Sequence, residues 1–560
     1  MQLRAGRGAE GAPVSQGLGY ISRHPAPSCP RTVPVAESHL LHELIAVAAT
    51  RTPDAQALTH GKATLDYRSL HGHVQSFAAA LLGLGLQRGE RVGIYLEKRF
   101  ETVVASFGAP AAGGVFVPMN PLLKPEQVGF IAQDCGVRVL VTSPDRYVQL
   151  KDTLQACPEL RHVVLTEKAS EHPGTLDWSE LLASPARAGH RIIDTDIVSI
   201  LYTSGSTGRP KGVVLSHRNM VAGAKSVASY LGNHAGDTLL AALPLSFDAG
   251  FSQLTTAFHV GARVVLLNYL LPRDVLKAME REKVTGLTAV PPLYIQLTQA
   301  GEWPAGIQEH LRYFANTGGR MPRETLDQLR QRVPRAKPFL MYGLTEAFRS
   351  TYLPPEEVDR RPDSIGKAIP NAEILVLRDD GSECAPGEVG ELVHRGALVG
   401  QGYWGDAEKT AERYKLLPAH ITARLGGALQ LPEYAVFSGD NVRKDEEGFL
   451  YFVGRRDEMI KTSGYRVSPT EVEEVLYASQ LVGECAAFGM DDAQLGHRIH
   501  VIATPVGEAL DTAALLAYCK QHMPAYMVPH QIEERSGPLP RNPNGKIDRS
   551  GLKKALEAQA

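Results

Sequence analysis

Short apolar segments alternate with amphipathic helical patterns from residue 38 to about residue 371, and this alternation limits the fold more than any other feature. RVGIYL (residues 91–96) and RVLVTS (residues 138–143) have the composition of buried strands, and EQVGFIAQDCG before the second has a helical pattern. Strands that alternate with helices favour largely parallel sheets covered by helices. The sequence therefore predicts an α/β fold.

The pattern changes twice after this region. AEILVLRDDGSECAPGEVGELVHRG combines short apolar stretches with Asp-Gly and Pro-Gly turns, which is typical of hairpins. GRRDEMIKTSG, a charged turn-forming stretch, then precedes a mixture of helices and strands. We predict a flexible leader (residues 1–35), a large N-terminal domain of stacked αβ subdomains (residues 36–456) with a β-rich subdomain at about 371–456, and a small, mobile α+β domain (residues 457–560).

Composition excludes several classes of protein. The formal net charge is −2 and no basic stripe is present, so the sequence does not predict a nucleic-acid partner. The six cysteines form no C-x-x-C pair, which indicates a reducing compartment, predicted to be the cytoplasm, without structural zinc. No apolar run approaches the roughly 18 residues of a membrane span. The Arg-bearing start lacks the apolar segment of a secretory signal, and a transit peptide is the alternative to a disordered leader.

TSGSTGRPKG (residues 203–212) has the composition of a phosphate-binding loop. Its glycines, hydroxyls and lysine can surround a polyphosphate with N–H and O–H donors. It does not match the P-loop pattern, because Pro210 precedes Lys211 and Gly212 follows it. We expect the loop to connect a strand ending in ILYT to a helix containing SHRNMVAGAKS, and an ordinary surface loop is the alternative.

Five further segments follow in order: NTGGRMP, MYGLTEA, FSGDNVR, GRRDEMIKTSGYRVSPTEVE and RNPNGKIDR. Together with the loop they resemble the AMP-forming adenylate-forming superfamily, which includes acyl-CoA synthetases, adenylation domains of peptide synthetases and luciferases. The resemblance covers about residues 38–551. It implies that a carboxylate attacks the α-phosphate of ATP to give an acyl-adenylate and pyrophosphate, and that a thiol then takes the acyl group and releases AMP. ATP, Mg²⁺ and coenzyme A are the implied cofactors and cosubstrates.

The resemblance also implies a nucleotide site. The loop would grip the β- and γ-phosphates, a tyrosine and a glycine pair would enclose adenine, and an aspartate and an arginine would bind the ribose. The implied residues are Thr203, Ser204, Gly205, Ser206, Thr207, Gly208, Lys211, Gly318, Gly319, Arg320, Tyr342, Gly343, Asp440 and Arg455. On residue chemistry alone, a core position is the alternative for Tyr342 and a plain turn is the alternative for Asp440.

Catalytic roles are implied for four residues. Thr345 would contact the α-phosphate, and Glu346 would hold Mg²⁺, a hard cation suited to carboxylate and phosphate oxygens. Lys546 in PNGKIDR would stabilise the charge that develops during attack, and Gly464 would admit the thiol. Asp457 would be the hinge at which the C-terminal domain swivels between the two steps. A surface acid and a solvated lysine are the alternatives for Glu346 and Lys546.

LPLSFDAGFSQL (residues 243–254) lies where the family builds its acyl pocket, for which the candidate residues are Phe247, Asp248, Gly343 and Arg349. Phe-Asp also occurs in amino-acid-activating relatives, in which the aspartate pairs with the substrate's ammonium. Alternatively, Arg349 pairs with Asp248 or binds a second carboxylate. Leu340 stands where those relatives carry an asparagine, which favours the acyl class. GLTEAFRSTYLPPEEVDRRPDSIGKAIPNAEILVL also resembles the exosortase-associated acyl-CoA ligase subgroup.

Three hypotheses for the function follow. The first is a stand-alone acyl-CoA synthetase that acts on a small-molecule carboxylate, fatty acids included. The second is an amino-acid or acyl ligase that loads a separate phosphopantetheinyl carrier protein. The third is a nucleotide-binding pseudoenzyme that acts as an interaction module. Lys211, Glu346, Asp440 and Lys546 are all present, which argues against the third.

Overall fold

The computed structural model describes residues 37–185, 187–203, 210–426, 432–456, 458–462, 465–492, 495–542 and 545–558. The predicted leader lies outside these residues. From Ser38 onward the chain forms one unit of helices and strands, and the prediction of a mixed α/β fold is confirmed. The domain boundary predicted between residues 456 and 457 stays a prediction, because one unit spans it.

The first sheet contains seven described strands. In spatial order they are Leu176–Asp177, His162–Leu165, Val137–Thr142, Arg91–Tyr95, Val115–Pro118, Ile197–Thr203 and Lys211–Ser216. Neighbouring strands are parallel except for the last pair, which is antiparallel. The strands expected at residues 91–96 and 138–143 are confirmed within a residue at each end. The apolar residues that predict them are buried between the sheet and its helices.

The strand Lys211–Ser216 corrects the expectation for the loop. Thr203 pairs with Lys211 across an antiparallel register, so residues 204–210 connect two strands of a hairpin rather than a strand and a helix. The missed signal is GVVLS, in which β-branched and apolar residues alternate between buried faces. Ser216 then caps the helix His217–Leu231 by accepting a hydrogen bond from Asn219 N.

The second sheet contains fourteen described strands and consists of a parallel half and an antiparallel half. The parallel half, with one antiparallel strand at its edge, is Lys337–Tyr342, Tyr313–Asn316, Gly286–Ala289, Thr238–Ala241, Arg263–Leu266, Gln56–His60 and the edge strand Ala63–Asp66. The antiparallel half is Thr351–Leu353, Ser364–Ala368, Leu450–Arg455, Tyr434–Lys444, Val389–Gly396 and Ala372–Leu377, with Tyr414–Leu416 beside Tyr434–Lys444. The two halves meet between Tyr342 and Thr351.

Helices cover the two sheets. The α-helices before the C-terminal region are Glu43–Arg51, Tyr67–Gly83, Phe100–Ala111, Pro125–Asp134, Pro144–Leu154, Trp178–Leu182, His217–Leu231, Asp248–Val260, Pro272–Arg281, Pro291–Gln299, Gly306–His310, Arg323–Arg332, Ala407–Arg413 and Ala419–Gly426. Short 3₁₀ turns occupy Ala169–Glu171, Thr345–Ala347, Pro355–Glu357 and Ala525–Met527. Within the described part of the chain, no helix combines the length and apolarity needed to cross a bilayer.

The helix Asp248–Val260 is held in the core. Its Phe251 ring stacks on Phe116 at 4.8 Å and on Phe107 at 5.6 Å, and burial of such side chains stabilises by about 1.5–3 kcal/mol each. Gly250 lets the first turn approach the preceding loop, since a Cβ there would lie 1.9 Å from the Pro244 carbonyl oxygen. These contacts fix the start of the helix, where Asp248 lies.

A third sheet lies in the C-terminal region. Its five described strands are Tyr465–Val467, Ile460–Thr462, Gly496–Pro505, Val482–Asp492 and Gln531–Glu534. The helices Pro469–Ala478, Thr512–His522 and Arg549–Glu557 accompany it. Separate apolar clusters within this region give it its own core.

Candidate functional site

The candidate site lies where the second sheet changes from parallel to antiparallel. Tyr342 ends the last parallel strand, and Thr345–Ala347 forms a 3₁₀ turn directly after it. Phe348 then takes a left-handed φ of 55°, which returns the chain to the strand Thr351–Leu353. The turn thus lies outside the carboxyl end of a parallel strand, the edge at which ligands bind in open α/β sheets, and we call the space at this edge the crevice.

Asp440 forms one wall of the crevice. Its Oδ2 accepts a hydrogen bond from the Tyr342 hydroxyl at 2.5 Å, and Arg455 Nε lies 3.8 Å from its Oδ1. Asp440 lies inside the strand Tyr434–Lys444 opposite Arg455, so the alternative that it is a plain turn former is wrong. Gly439 before it is a residue typical of turns, but in the structure it takes a φ of 71° within the strand.

One oxygen of the Asp440 carboxylate accepts no hydrogen bond from the described residues. This atom is Oδ1, and it is buried. Burial raises the pKa of Asp440, whereas Arg455 and the hydrogen bond from Tyr342 act in the opposite direction. A buried, partly unsatisfied acceptor costs free energy unless a ligand or water completes it. This arrangement suits a ligand that presents hydroxyl donors.

Lys546 enters the same crevice from a turn near the C-terminus. Lys546 N donates to Asn542 Oδ1 at 3.1 Å, and Asn542 N donates to Lys546 O at 2.8 Å, which closes the turn. A Cβ built at Gly318 would lie 3.7 Å from Lys546 Cε, so the lysine stem passes over the glycine. Part of the residue remains exposed to solvent, while its ammonium is largely shielded from bulk water.

The charges around Lys546 identify its neighbours. Removal from bulk water lowers the pKa of Lys546, Arg455 lowers it further, and Asp248 and Asp440 oppose both effects. The ammonium is therefore within electrostatic range of both the predicted ribose aspartate and the predicted acyl-pocket aspartate. This is a position from which a cation can reach a group bound between them.

Glu346 and Lys211 form a second corner of the site. Tyr403 donates its hydroxyl to Glu346 Oε1 at 2.6 Å, and Lys211 Nζ lies 5.5 Å from the centre of the Tyr403 ring. Burial lowers the pKa of Lys211, Lys409 and Arg413 lower it further, and Glu346 raises it. Cations thus outnumber carboxylates here, which favours an anionic ligand.

Glu346 is compatible with a magnesium site. The described residues contain no group of three or more His, Cys, Asp or Glu side chains that could hold a metal ion. Mg²⁺ usually takes only one or two carboxylates and completes its shell with water and phosphate oxygens. One carboxylate beside an anion-binding corner fits that coordination. Tyr403 occupies one oxygen and leaves the other available.

Other predicted nucleotide residues border the crevice. Asn316 Nδ2 donates to the Gly319 carbonyl at 2.8 Å, which holds the glycine pair after its strand. Arg320 forms an ion pair with Asp363 at 2.6 Å and a second ion pair with Glu474 of the C-terminal region. A Cβ at Gly343 would lie 3.2 Å from the Arg349 backbone, so Gly343 permits close packing there.

Some predicted residues lie outside the described part of the chain. They are Ser204, Gly205, Ser206, Thr207, Gly208, Asp457 and Gly464. Their roles stay predictions. The two strand ends that flank the phosphate loop, Thr203 and Lys211, are described and face each other.

The candidate acyl-pocket residues form an internal ion pair. Arg349 Nη1 donates to Asp248 Oδ2 at 3.2 Å, and the Arg349 side chain is 3% exposed. The alternative in which Arg349 pairs with Asp248 is the one that the structure shows. Phe247 immediately precedes the helix that Asp248 begins. Sequence analysis missed Tyr403, whose only signal is its place in the apolar segment GQGYW.

The chain matches known proteins over most of its length. A family model described as AMP-binding enzyme matches residues 45–404, and the AMP-binding enzyme C-terminal domain matches residues 471–546. A long-chain-fatty-acid–CoA ligase of Salmonella typhimurium is 30% identical over an alignment that covers 95% of this chain and 97% of the relative. An L-proline–[L-prolyl-carrier protein] ligase of Pseudomonas fluorescens is 29% identical, covering 92% of this chain and 99% of the relative.

A solved structure is similar over the same length. The crystal structure of an anthranilate CoA ligase in complex with anthranoyl-AMP has a TM-score of 0.83 and 26% identity to this chain. The similarity covers 94% of this chain and 99% of the solved chain. It therefore includes both the crevice and the C-terminal region that supplies Lys546.

Proposed function

This chain belongs to the family of AMP-binding enzymes, and from that premise we propose that it activates a carboxylic acid with ATP and transfers the acyl group to CoA. It is an AMP-forming acid–thiol ligase, with ATP and CoA as its cosubstrates and Mg²⁺ as its cofactor. The roles that we propose for individual residues rest on one arrangement. Lys546 reaches the crevice that also contains Asp440 and Gly318.

In the first step, a carboxylate oxygen attacks the α-phosphorus of ATP and the bond to the pyrophosphate oxygen breaks. Asp440 accepts hydrogen bonds from the ribose and fixes the nucleotide, while the Lys546 ammonium stabilises the charge at the attacking carboxylate and the α-phosphate. Lys211 and the loop before it hold the leaving pyrophosphate. Glu346 would hold Mg²⁺, which would supply charge neutralisation at the phosphates.

In the second step, the CoA thiolate attacks the acyl carbonyl and AMP leaves. Lys546 is not needed for this attack, and its turn has to withdraw to give the thiol access. We infer that the C-terminal region moves about the predicted hinge at Asp457, which breaks the ion pair between Arg320 and Glu474. The next residue before the hinge, Arg456, donates its N–H to Gly439 O at 2.8 Å, and this contact anchors the N-terminal side.

The proposed function is tested by pyrophosphate release over a library of carboxylic acids, with and without CoA. We expect pyrophosphate with at least one acid in the absence of CoA, and acyl-CoA plus AMP once CoA is added. Absence of pyrophosphate with every acid would refute the proposal. A nucleotide-binding pseudoenzyme, the alternative of another class, predicts that outcome together with retained ATP binding.

A second candidate function is loading of a carrier protein. The relative that acts on a prolyl carrier and the Phe247-Asp248 pair favour it. Against it, Asp248 is already paired with Arg349 rather than left for an ammonium group. Thioester on a phosphopantetheinyl carrier, with none on CoA, would establish this function in place of the first. If the substrate is an amino acid, Asp248→Ala should abolish its turnover, whereas turnover of a fatty acid should be largely unaffected by this change.

The compartment is part of the same proposal. The five described cysteines, Cys135, Cys157, Cys384, Cys485 and Cys519, are unpaired. Free thiols support a reducing compartment, and CoA and ATP are available in the cytoplasm. We therefore place the enzyme there.

The adenylation rate is expected to fall in alkaline solution because of Lys546. Its pKa is lowered, so the ammonium loses its proton below the ordinary lysine value of 10.5 as the pH rises. The rate of ATP–pyrophosphate exchange should therefore fall through an alkaline limb that lies below that pH. Lys546→Arg retains its charge over this range and should lack the limb. An identical limb in the variant would assign it to another group.

Glu346→Gln is expected to lower the rate of adenylation about 10²-fold and to raise the Mg²⁺ concentration needed for half-maximal rate. The amide keeps the volume but removes the charge that attracts a hard cation. A magnesium titration of pyrophosphate release measures both effects. Glu388→Gln, at an exposed glutamate paired with Arg378, is the matched control. An unchanged magnesium dependence in Glu346→Gln would contradict the metal role.

A further inference from the structure

A small cavity lies behind the ion pair between Asp248 and Arg349. The helices His217–Leu231 and Asp248–Val260 and the parallel half of the second sheet enclose it. Its volume is about 10 Å³, which is room for about one water molecule. A long alkyl chain cannot enter a space of this size without displacing the core around it.

Polar groups with unused hydrogen-bonding capacity line the cavity. Gln253 and Thr256 lie on the helix Asp248–Val260 and are 5% and 2% exposed. Neither amide atom of Gln253, nor Thr256 Oγ1, nor Arg349 Nε has a hydrogen-bond partner among the described residues. Buried polar atoms are nearly always satisfied in native proteins, and each exception calls for an explanation. Three such side chains around one cavity can be completed by a single oxygen atom, that of a buried water molecule or that of a substrate group that takes the water's place.

The charge in the cavity restricts the ligand. Arg349 is the one charged side chain among the described residues of the lining, and Asp248 already neutralises it at 3.2 Å. A second carboxylate or an ammonium group on the substrate would enter a buried site without a counter-charge, which is costly. An uncharged oxygen has no such cost. A hydroxyl can donate to Gln253 or Thr256 and accept from Arg349 Nε at the same time.

We propose that the acid activated by this enzyme is short and carries an uncharged oxygen function, such as a hydroxyl, which Gln253, Thr256 and Arg349 bind in the cavity. This inference rests on the proposed function, because it concerns the acyl end of the same substrate. The carboxyl group lies beside Lys546, and the chain passes the pair formed by Asp248 and Arg349. The proximity of Asp248 to both Lys546 and Arg349 supports this path.

The test compares five four-carbon acids and one longer acid in the pyrophosphate-release assay. The acids are butanoic, 3-hydroxybutanoic, 4-hydroxybutanoic, succinic, 4-aminobutanoic and octanoic acid. We expect kcat/KM for at least one hydroxy acid to exceed the values for butanoic, succinic and 4-aminobutanoic acid at least tenfold, since a site built to bind a hydroxyl rejects analogues that lack it. Octanoic acid should be poorer still.

The variants Thr256→Val and Gln253→Leu connect the preference to the cavity. Each should reduce the ratio of hydroxybutanoic to butanoic kcat/KM roughly tenfold. Thr255→Val is the matched control, because Thr255 bonds to the Ser252 carbonyl at 3.2 Å within the helix, and it should keep the wild-type ratio. Thermal melting confirms folding, and Thr256→Val, which preserves volume, decides the result if Gln253→Leu does not fold.

Three outcomes would overturn the inference, and they separate it from the proposed function. If butanoic, octanoic, succinic or 4-aminobutanoic acid is the best substrate, or if Thr256→Val leaves the ratio unchanged, the inference fails and acid activation stands. If none of these six acids releases pyrophosphate but another acid of the library does, the inference fails and acid activation stands; if no acid of the library does, the proposed function itself fails. A hydroxy-acid preference that is lost in Thr256→Val and kept in Thr255→Val confirms the inference.

Discussion

Lys546→Ala is expected to lower kcat for adenylate formation about 10²–10³-fold while the thioester-forming step keeps its rate. The ammonium interacts with both Asp248 and Asp440, and its stem passes Gly318, so it can reach the place where we propose that the carboxylate and the α-phosphate meet. Both reacting groups are anionic, and the variant removes the cation that offsets their repulsion. In the second step the attacked carbonyl is neutral and the lysine has withdrawn, so the same change has little effect.

The two half-reactions have to be measured separately for Lys546→Ala. ATP–pyrophosphate exchange reports the first, and conversion of a supplied acyl-adenylate to acyl-CoA reports the second. Lys554→Ala, an exposed lysine on the helix Arg549–Glu557, is the control for loss of charge in this region. Equal losses in both half-reactions would mean that Lys546 maintains the C-terminal region rather than the first transition state.

The sequence predicts the fold well where one residue pattern has one structural meaning. Buried strands such as Arg91–Tyr95 stand out because neighbouring apolar residues are covered on both faces of a parallel sheet. The hairpin strand Lys211–Ser216 does not stand out, because its glycine and lysine belong to the loop pattern while its valines belong to a strand. Local pattern cannot decide which assignment holds, and pairing with Ile197–Thr203 does so.

The residues of the candidate site also differ in whether the sequence alone identifies them. Asp440, Glu346 and Lys546 are identifiable because each lies in a short segment of distinctive composition. Tyr403 is not, because its contribution is a hydrogen bond to Glu346 across 57 residues, which only tertiary structure reveals. Gln253 and Thr256 likewise look like ordinary helix residues in sequence. They stand out only in the folded chain, where their polar atoms are buried without a hydrogen-bond partner among the described residues.

The second large effect is expected for substitution of Asp440, because its carboxylate is buried and one of its oxygens accepts no hydrogen bond from the described residues. Its Oδ2 is engaged by Tyr342 and its Oδ1 faces Arg455 at 3.8 Å without a hydrogen bond among the described residues. Hydrogen bonds to a charged group contribute roughly 1.5–3 kcal/mol each. A ribose that donates two hydroxyls to this carboxylate would gain enough to dominate the affinity for the nucleotide.

Asp440→Asn is therefore expected to raise the KM for ATP and the Kd for AMP about 100-fold, which is about 2.7 kcal/mol, with little change in the KM for the acid. The amide replaces one acceptor by a donor and removes the charge. Because the pKa of Asp440 is raised, wild-type affinity for AMP should also fall in acid at a higher pH than an ordinary aspartate would allow, and the variant should lack this dependence. Calorimetric titration with AMP across the acidic range measures both effects, and Asp380→Asn, at an exposed loop aspartate, is the control. If Asp440→Asn binds AMP as tightly as the wild type, the ribose is held elsewhere and the assignment of the crevice to the nucleotide is wrong.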